Sequence, residues 1–196
     1  MTRKKCVAMF VVLSMTLLVG CGKAKISDGK IDKNTIAVNK DGTTQIGMVN
    51  DFSKGYYNED ELETFINDTI KKFQATNGSD SVKLNYIDVK DDKAYVTLEF
   101  PSVDKLAAFD SEDISLMSFQ DAKSKGLLNA DLIANTDNKE KVSGSAITED
   151  DCKVLVLHDG YRVLVEGDIT YYSGGTLVDS DTVDTVAGQQ NVILFK

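Results

Sequence analysis

The last third of the chain alternates strand-length apolar runs with turn residues, and this pattern constrains the fold more than any other feature. Residues 153–157, 161–166 and 169–178 are rich in Val, Leu, Ile and Tyr, as strands are. Asp159-Gly160 and Gly174-Gly175 are typical hairpin turns. We therefore expect a hairpin that pairs Val156 with Val163, a second hairpin around Gly174-Gly175, and one or two further strands in 183–195.

The first half of the chain predicts two more hairpins. In residues 35–49 a three-residue loop with a left-handed Gly42 places Ile36 opposite Ile46, and this register keeps apolar side chains together. Residues 82–100 predict a hairpin around Asp91-Asp92. The apolar alternation in this second hairpin slips between Tyr86 and Ile87, which is typical of a β-bulge.

Residues 58–73 carry the clearest helix pattern. Asn58 can cap the helix and Glu61 completes a capping box. A shorter helix is expected from Ser102 through Phe109, and another over 118–125. We expect one face of the long helix to be buried on a sheet, through its side chains Leu62, Phe65, Ile66, Thr69, Ile70 and Phe73.

These elements predict an α+β fold in which a mainly antiparallel sheet of several hairpins carries one long amphipathic helix. The globular domain is expected to span residues 35–196, either as one unit or as two lobes, 35–110 and 111–196. We find no internal repeat.

Residues 1–20 have the pattern of a cleaved export signal. Arg3, Lys4 and Lys5 precede an apolar stretch of 13 residues, 7–19, which is shorter than the roughly 20 residues of a membrane-spanning helix. The sequence Leu18-Val19-Gly20-Cys21 resembles the lipobox of bacterial lipoproteins. The resemblance implies cleavage after Gly20 and a diacylglyceryl thioether on Cys21; the alternative is an ordinary secretory signal followed by a chance cysteine.

A lipidated Cys21 would hold the protein on the extracytoplasmic face of the cell membrane, because two fatty chains give stable anchoring. Residues 22–34 lack apolar periodicity, so segment 21–34 is expected to be a lipidated, flexible tether. Lys23 and Lys25 then either rest on anionic lipid headgroups or keep the linker soluble.

Charge and cysteine content narrow the classes of partner. Removing residues 1–20 leaves 19 basic against 31 acidic residues, a net charge of −12, so nucleic acid is not an expected partner.

The cysteine content excludes a disulfide. Cys6 is removed with the signal, and with Cys21 alkylated only Cys152 remains as a free thiol. No intrachain disulfide can then form.

Two nucleophile patterns are weak on inspection. Cys152 and His158 lie six residues apart, about 20 Å along a strand, whereas a catalytic dyad needs roughly 3 Å. Ser102 and Lys105 match the Ser-x-x-Lys pattern, but Ser102 follows Pro101 and is better explained as a helix cap.

The acidic clusters are expected to be solvated, and the tyrosine pairs are expected to pack in the core. The acidic clusters at 110–113, 149–151 and 179–184 lack the spacing of a calcium loop, and calcium binding by one of them stays open. Tyr56-Tyr57 and Tyr171-Tyr172 suggest sugar stacking, but strand neighbours point to opposite faces. We expect no catalytic residue, metal or cofactor.

The lipobox, the many Lys and Asp residues and the terminal run NVILFK (191–196) together resemble small lipoproteins of anaerobic Gram-positive bacteria whose domains have no assigned activity. The lipid anchor and the lack of a complete catalytic motif in the sequence favour a non-enzymatic domain that binds an envelope or surface protein, with the lipid bilayer as a partner through Cys21. The terminal strand 191–196 could recruit such a protein by strand addition. The alternative is an envelope-directed hydrolase with two carboxylates roughly 5 to 10 Å apart, one with a raised pKa.

Overall fold

The structure, a computed structural model, describes residues 22–196, and this part of the chain is mostly β. It contains three α-helices, α1 (Glu59–Asn77), α2 (Val103–Asp110) and α3 (Phe119–Ser124). Its thirteen strands are β1 (Thr35–Val38), β2 (Thr44–Asp51), β3 (Lys83–Lys90), β4 (Lys93–Phe100), β5 (Ile114–Ser118), β6 (Asp131–Ala134), β7 (Lys141–Ser143), β8 (Lys153–Leu157), β9 (Arg162–Val165), β10 (Ile169–Tyr172), β11 (Gly175–Asp179), β12 (Thr182–Thr185) and β13 (Asn191–Phe195).

The strands form two sheets. The first sheet has the order β11-β12-β9-β1-β2-β4-β3, and the second has the order β5-β8-β13-β10-β6-β7. Neighbouring strands are antiparallel except β1 and β9, which are parallel. The fold is therefore α+β in the coarse sense expected, with mainly antiparallel strands and few helices.

The two sheets and helices α1 and α2 enclose a shared core. Side chains of both sheets meet in it, among them Ile36, Leu98 and Val163 from the first sheet and Leu155, Ile193 and Phe195 from the second. The opposite face of the second sheet packs on an outer cluster that includes Phe119 and Ala122 of α3. The second sheet is thus buried on both faces.

Both hairpins expected in the first half are present. Ile36 lies opposite Ile46 and Gly42 has a φ of 89°, which confirms the bulged turn. In the second hairpin Asp91 and Asp92 form the turn with positive φ. The bulge lies between Leu84 and Tyr86, slightly before the expected position.

The hairpin predicted at Asp159-Gly160 is wrong. Strand β8 pairs with β5 and β13 in the second sheet, whereas β9 pairs with β1 and β12 in the first. The chain therefore crosses between the sheets at 158–161. Leu155 and Leu157 contribute to the shared core, while Val154 and Val156 contribute to the outer cluster. Residues 154–157 are therefore apolar because both faces of β8 are buried, and not because β8 pairs with β9 in a hairpin.

The chain also changes sheets at Gly174-Gly175, because β10 belongs to the second sheet and β11 to the first. A hairpin over 169–178 is therefore wrong as well. Strands β9, β11 and β12 join the sheet built by residues 35–100, so the chain does not separate into lobes at residue 110. Strand β13 lies between β8 and β10, and a central strand has no free edge for strand addition.

Helix α1 begins where the Asn58 side chain accepts a hydrogen bond from the Glu61 N–H at 3.1 Å. It ends before Gly78, which has a φ of 96°. Ile70 is its buried residue, whereas Phe65 is 65% exposed. The buried stripe is therefore narrower than the arc that the sequence suggested. The expected cap at Ser102 is confirmed, and the Ser118 side chain caps α3.

Residues 22–34 lie against the first sheet, so the expectation of a flexible tether is wrong for them. Ile26 is only 2% exposed, and its N–H donates to Gln45 Oε1 at 2.9 Å. A Cβ on Gly47 would lie 2.9 Å from a methyl of Ile31 and 3.2 Å from methyls of Ile26. The absence of a side chain at Gly47 therefore gives these two isoleucines room to pack on the sheet.

Candidate functional site

Three aromatic rings, Phe52, Tyr56 and Tyr57, form a surface cluster in the loop between β2 and α1, in which Phe52 is half-buried. The ring centroids of Phe52 and Tyr57 are 4.9 Å apart, as are those of Tyr56 and Tyr57. Tyr56 is 76% exposed and Tyr57 is 44% exposed. We call this cluster the aromatic patch. Exposed tyrosines of this kind are typical of protein interfaces, since they bury a large rigid surface at low entropic cost.

Backbone and side-chain hydrogen bonds give the loop of the aromatic patch a defined shape. The Phe52 N–H donates to the Asp92 carbonyl at 2.7 Å, and the Tyr57 N–H donates to the Lys54 carbonyl at 2.9 Å. Asp51 accepts from the Ser53 N–H at 3.1 Å. Because the residues lie in a turn and not in a strand, neighbouring Tyr56 and Tyr57 share one surface, which the strand argument from the sequence missed.

Acidic residues outnumber basic ones next to the aromatic patch in the chain, although Lys54 lies in its loop. Hydrogen bonding by Ser53 lowers the pKa of Asp51, and the first turn of α1 carries Glu59, Asp60 and Glu61. Contact with Tyr57 raises the pKa of Tyr56, so its hydroxyl stays neutral at physiological pH. The surface therefore suits a partner with apolar side chains and basic groups around them.

A cleft of about 530 Å³ lies between α1 and the β3–β4 end of the first sheet. Gln74 on its helical wall donates to the Val82 carbonyl at 2.9 Å. Glu99 on its sheet wall accepts from the amides of Asn85 and Gln45 at 2.9 and 2.8 Å, and these bonds lower its pKa. Glu99 is thus held ionised, which is the opposite of what a general acid needs.

Cys152 and His158 lie at opposite ends of β8, so the structure does not bring them together as a dyad. The Cys152 sulfur is buried near Thr170 Oγ1 at 3.6 Å, and burial raises the pKa of the thiol. His158 Nδ1 lies 3.0 Å from Asp113 Oδ2, although not in hydrogen-bond geometry. The buried, protonated thiol is therefore a packing group.

Ser102 and Lys105 also have structural roles. Ser102 Oγ accepts a hydrogen bond from the Lys105 N–H at 3.3 Å and caps α2. The Lys105 ammonium donates to Asn77 Oδ1 at 3.1 Å. The ammonium is therefore engaged with the end of α1, and the pair is a helix cap as expected.

One acidic cluster, at Asp110 and Glu112, has perturbed protonation. The Tyr161 hydroxyl donates to the Glu112 carboxylate. Burial raises the pKa of Glu112, with a further contribution from Asp159, and burial also raises the pKa of Asp110. These carboxyl groups have the protonation property that the hydrolase alternative requires, but neither lines the 530 Å³ cleft.

The other two acidic clusters hold cationic side chains. Asp184 accepts from Arg162 at 2.9 Å and from Lys33 at 2.9 Å. Glu149, Asp151 and Cys152 bring their ligand atoms within 4.8 Å of one another, but the Lys196 ammonium lies 2.6 Å from Glu149. In both clusters Lys or Arg side chains therefore already supply the positive charge that a metal ion would bring to the carboxylates.

The second tyrosine pair is packed, as expected. Tyr172 is 3% exposed and belongs to the shared core, while Tyr171 packs against the outer cluster.

Cys21 and the signal segment 1–20 lie outside the described residues. Among residues 22–196, no helix has the length and apolar character needed to cross a membrane.

Comparisons with protein-family models, with curated proteins and with solved structures found no match.

Proposed function

We propose that this protein is a bacterial lipoprotein, held on the extracytoplasmic face of the cell membrane by lipid on Cys21, whose domain binds a surface or envelope protein without catalysing a reaction. The aromatic patch is the observation that carries the binding proposal. We also infer that α1, packed on the shared core through Ile66, Ile70 and Phe73, is the long amphipathic helix that holds the patch in place.

The roles of the candidate nucleophiles favour binding over catalysis. Cys152 is buried with a raised pKa, and Ser102 caps a helix. The aromatic patch, in contrast, exposes rings that pack on one another and on no core cluster. Isolated exposed apolar residues need no explanation, but a cluster of them marks an interaction surface.

Lipid on Cys21 is supported by the sequence Leu18-Val19-Gly20-Cys21. Each buried methylene contributes about 0.8 kcal/mol to membrane binding, and two chains give stable attachment where one gives marginal attachment. The test is mass spectrometry of the protein purified from its own cells, with Cys21→Ser as the matched variant. We expect an N-terminal cysteine carrying a diacylglyceryl group, and a Cys21→Ser protein that leaves the membrane fraction. An unmodified N-terminus would contradict the anchor.

Binding through the aromatic patch can be tested by photo-crosslinking in intact cells. A photoreactive phenylalanine at Tyr56 is expected to give a protein adduct of discrete mass. The same group at Val178, which is 52% exposed and lies on β11, is the matched control and should give none. Equal labelling at both positions, or none at Tyr56, would refute the patch as the binding site.

The raised pKa values of Asp110 and Glu112 support a second candidate, an envelope-directed hydrolase. In that reaction one protonated carboxyl group donates a proton to the leaving group while the other acts as base or nucleophile. The test is release of soluble sugar from purified wall material by the wild type, Glu112→Gln and Tyr161→Phe proteins. Activity lost in Glu112→Gln but kept in Tyr161→Phe would favour this candidate over binding alone.

A further inference from the structure

The chain immediately after Cys21 is fixed to the first sheet. Lys23 forms an ion pair with Asp41 at 2.7 Å, and the Ala24 N–H donates to Asn39 Oδ1 at 2.8 Å. Asn39 is itself only 5% exposed. Only Gly22 and Lys23, whose side chain is 61% exposed, therefore separate Cys21 from Ala24, the first residue held to a buried side chain.

These contacts place the start of the described chain, Gly22 and Lys23, at one end of the first sheet. Two residues of extended chain span at most about 7 Å, so a lipid attached at Cys21 would join the domain close to this end. Gly22 lines a groove of about 310 Å³ together with Gly167 and Asp168. The Lys40 N–H donates to Glu166 at 2.8 Å, which joins the 39–43 and 166–168 turns. We call these two turns the anchor end.

The aromatic patch lies at the opposite end of the same sheet. Strand β2 starts at Thr44, beside the anchor end, and its eight residues lead to Asp51. At about 3.3 Å per residue, this strand separates the anchor end from Phe52 by roughly 25 Å. The strand pairing agrees, since Thr44 lies opposite Phe100 and Asp51 lies opposite Lys93.

We infer that the domain stands on the lipid bilayer with its anchor end against the headgroups and the aromatic patch facing away from the membrane. This inference rests on the lipid anchor proposed above. With only Gly22 and Lys23 between Cys21 and the docked Ala24, the domain cannot turn over, whereas a 13-residue flexible tether would allow it to. The surface that the anchor end meets is therefore phospholipid, and the partner of the aromatic patch approaches from outside the cell.

The orientation can be measured with the full-length, lipidated protein in phosphatidylcholine vesicles that carry nitroxide lipids. A fluorescent label is placed at the exposed positions Asp168→Cys or Lys54→Cys, each in a Cys152→Ala background. We expect strong quenching at position 168, which belongs to the anchor end, and little at position 54, which lies in the loop of the aromatic patch. Equal quenching, or stronger quenching at 54 because the rings insert into the bilayer, would overturn the inference.

Two controls separate failure of the orientation from failure of the anchor. Failure of the wild-type protein to cosediment with vesicles would contradict the lipid anchor and with it this inference. Equal cosedimentation of the wild type and the Cys21→Ser variant would do the same. A Gly-Ser spacer of about sixteen residues after Gly22, with a reach of roughly 20 Å, keeps the anchor but frees the domain. The difference in quenching between positions 168 and 54 should then disappear, and its persistence would show that the docked segment does not set the orientation.

Discussion

Replacement of Ile26 by alanine tests whether residues 22–34 are part of the folded domain. The Ile26 side chain is 2% exposed and packs over Gly47 with Ile31. A free tether would not respond to the substitution, because its side chains would be in water in both the folded and unfolded states. A docked segment loses the burial of this side chain.

The size of the effect follows from the atoms removed. Isoleucine exceeds alanine by three methyl or methylene groups, and at about 0.8 kcal/mol each their burial contributes about 2.4 kcal/mol. The cavity left behind adds to the cost, while relaxation of a segment at the surface reduces it. We therefore expect the segment to lose about 2–3 kcal/mol of stability.

Hydrogen exchange at the amide of residue 26 reports this loss directly, because that N–H donates to Gln45 Oε1. A loss of 2–3 kcal/mol corresponds to exchange faster by about 30- to 160-fold if exchange follows the opening equilibrium. If segment and domain unfold together, the urea midpoint should also fall by about 1 M. Val178→Ala, at a position that is 52% exposed, is the matched control and should change neither value. Less than about a threefold change at residue 26 would refute the docked segment.

Three further substitutions test the described contacts. Asn58→Ala removes the α1 cap and should cost about 1 kcal/mol in thermal unfolding, whereas Asn58→Asp should cost little; equal losses would argue against capping. Asn191→Ala removes a fully buried side chain that donates to three carbonyls and accepts from the Val186 N–H, and urea unfolding should show a loss of about 3 kcal/mol. The pKa of Glu112 is raised above 4.5 in the folded state, so the folded state binds the Glu112 proton more tightly than the unfolded state does. Ionisation of Glu112 therefore lowers the free energy of unfolding at a pH above the raised pKa, and this loss disappears as the pH falls toward 4.5. The free energy of unfolding of Glu112→Gln, measured relative to the wild type, should therefore be higher at neutral pH than at pH 4.5. A difference that does not change with pH would contradict the raised pKa.

The local parts of the fold could be predicted because their causes are local. The turn at Gly42 and the caps at Asn58 and Ser102 depend on residues within a few positions of each other. Their side chains satisfy backbone groups that every helix end or tight turn leaves open. For the same reason the register of Ile36 opposite Ile46 could be worked out from the sequence before any tertiary contact was known.

Strand partners could not be predicted in the last third, because they depend on contacts distant in sequence. Asp159-Gly160 has the composition of a hairpin turn, yet β9 pairs with β1, about 127 residues earlier in the chain. The apolar run of β8 is compatible with a central strand in either sheet. Its burial on both faces follows from the outer cluster that α3 and the following loop supply, and nothing within residues 153–157 encodes that cover.

The candidate site was missed for a related reason. Tyr56 and Tyr57 were interpreted as strand neighbours facing opposite sides, but a turn held by Asp51, Lys54 and Asp92 brings both rings to one surface. The turn residues Ser53, Lys54 and Gly55 were the available sequence signal. Such a signal predicts a loop, but it does not predict which side chains the loop groups together.

The composition of residues 22–34 is that of a linker, and only two isoleucines in it oppose that interpretation. Their importance depends on Gly47, a residue in another element whose missing side chain makes room for them. The segment leads directly into β1, which lies in the middle of the first sheet between β2 and β9. If Cys21 carries lipid as proposed, a force on the anchor acts on a central strand paired on both sides, so the orientation of the domain is supported by the most constrained part of the first sheet.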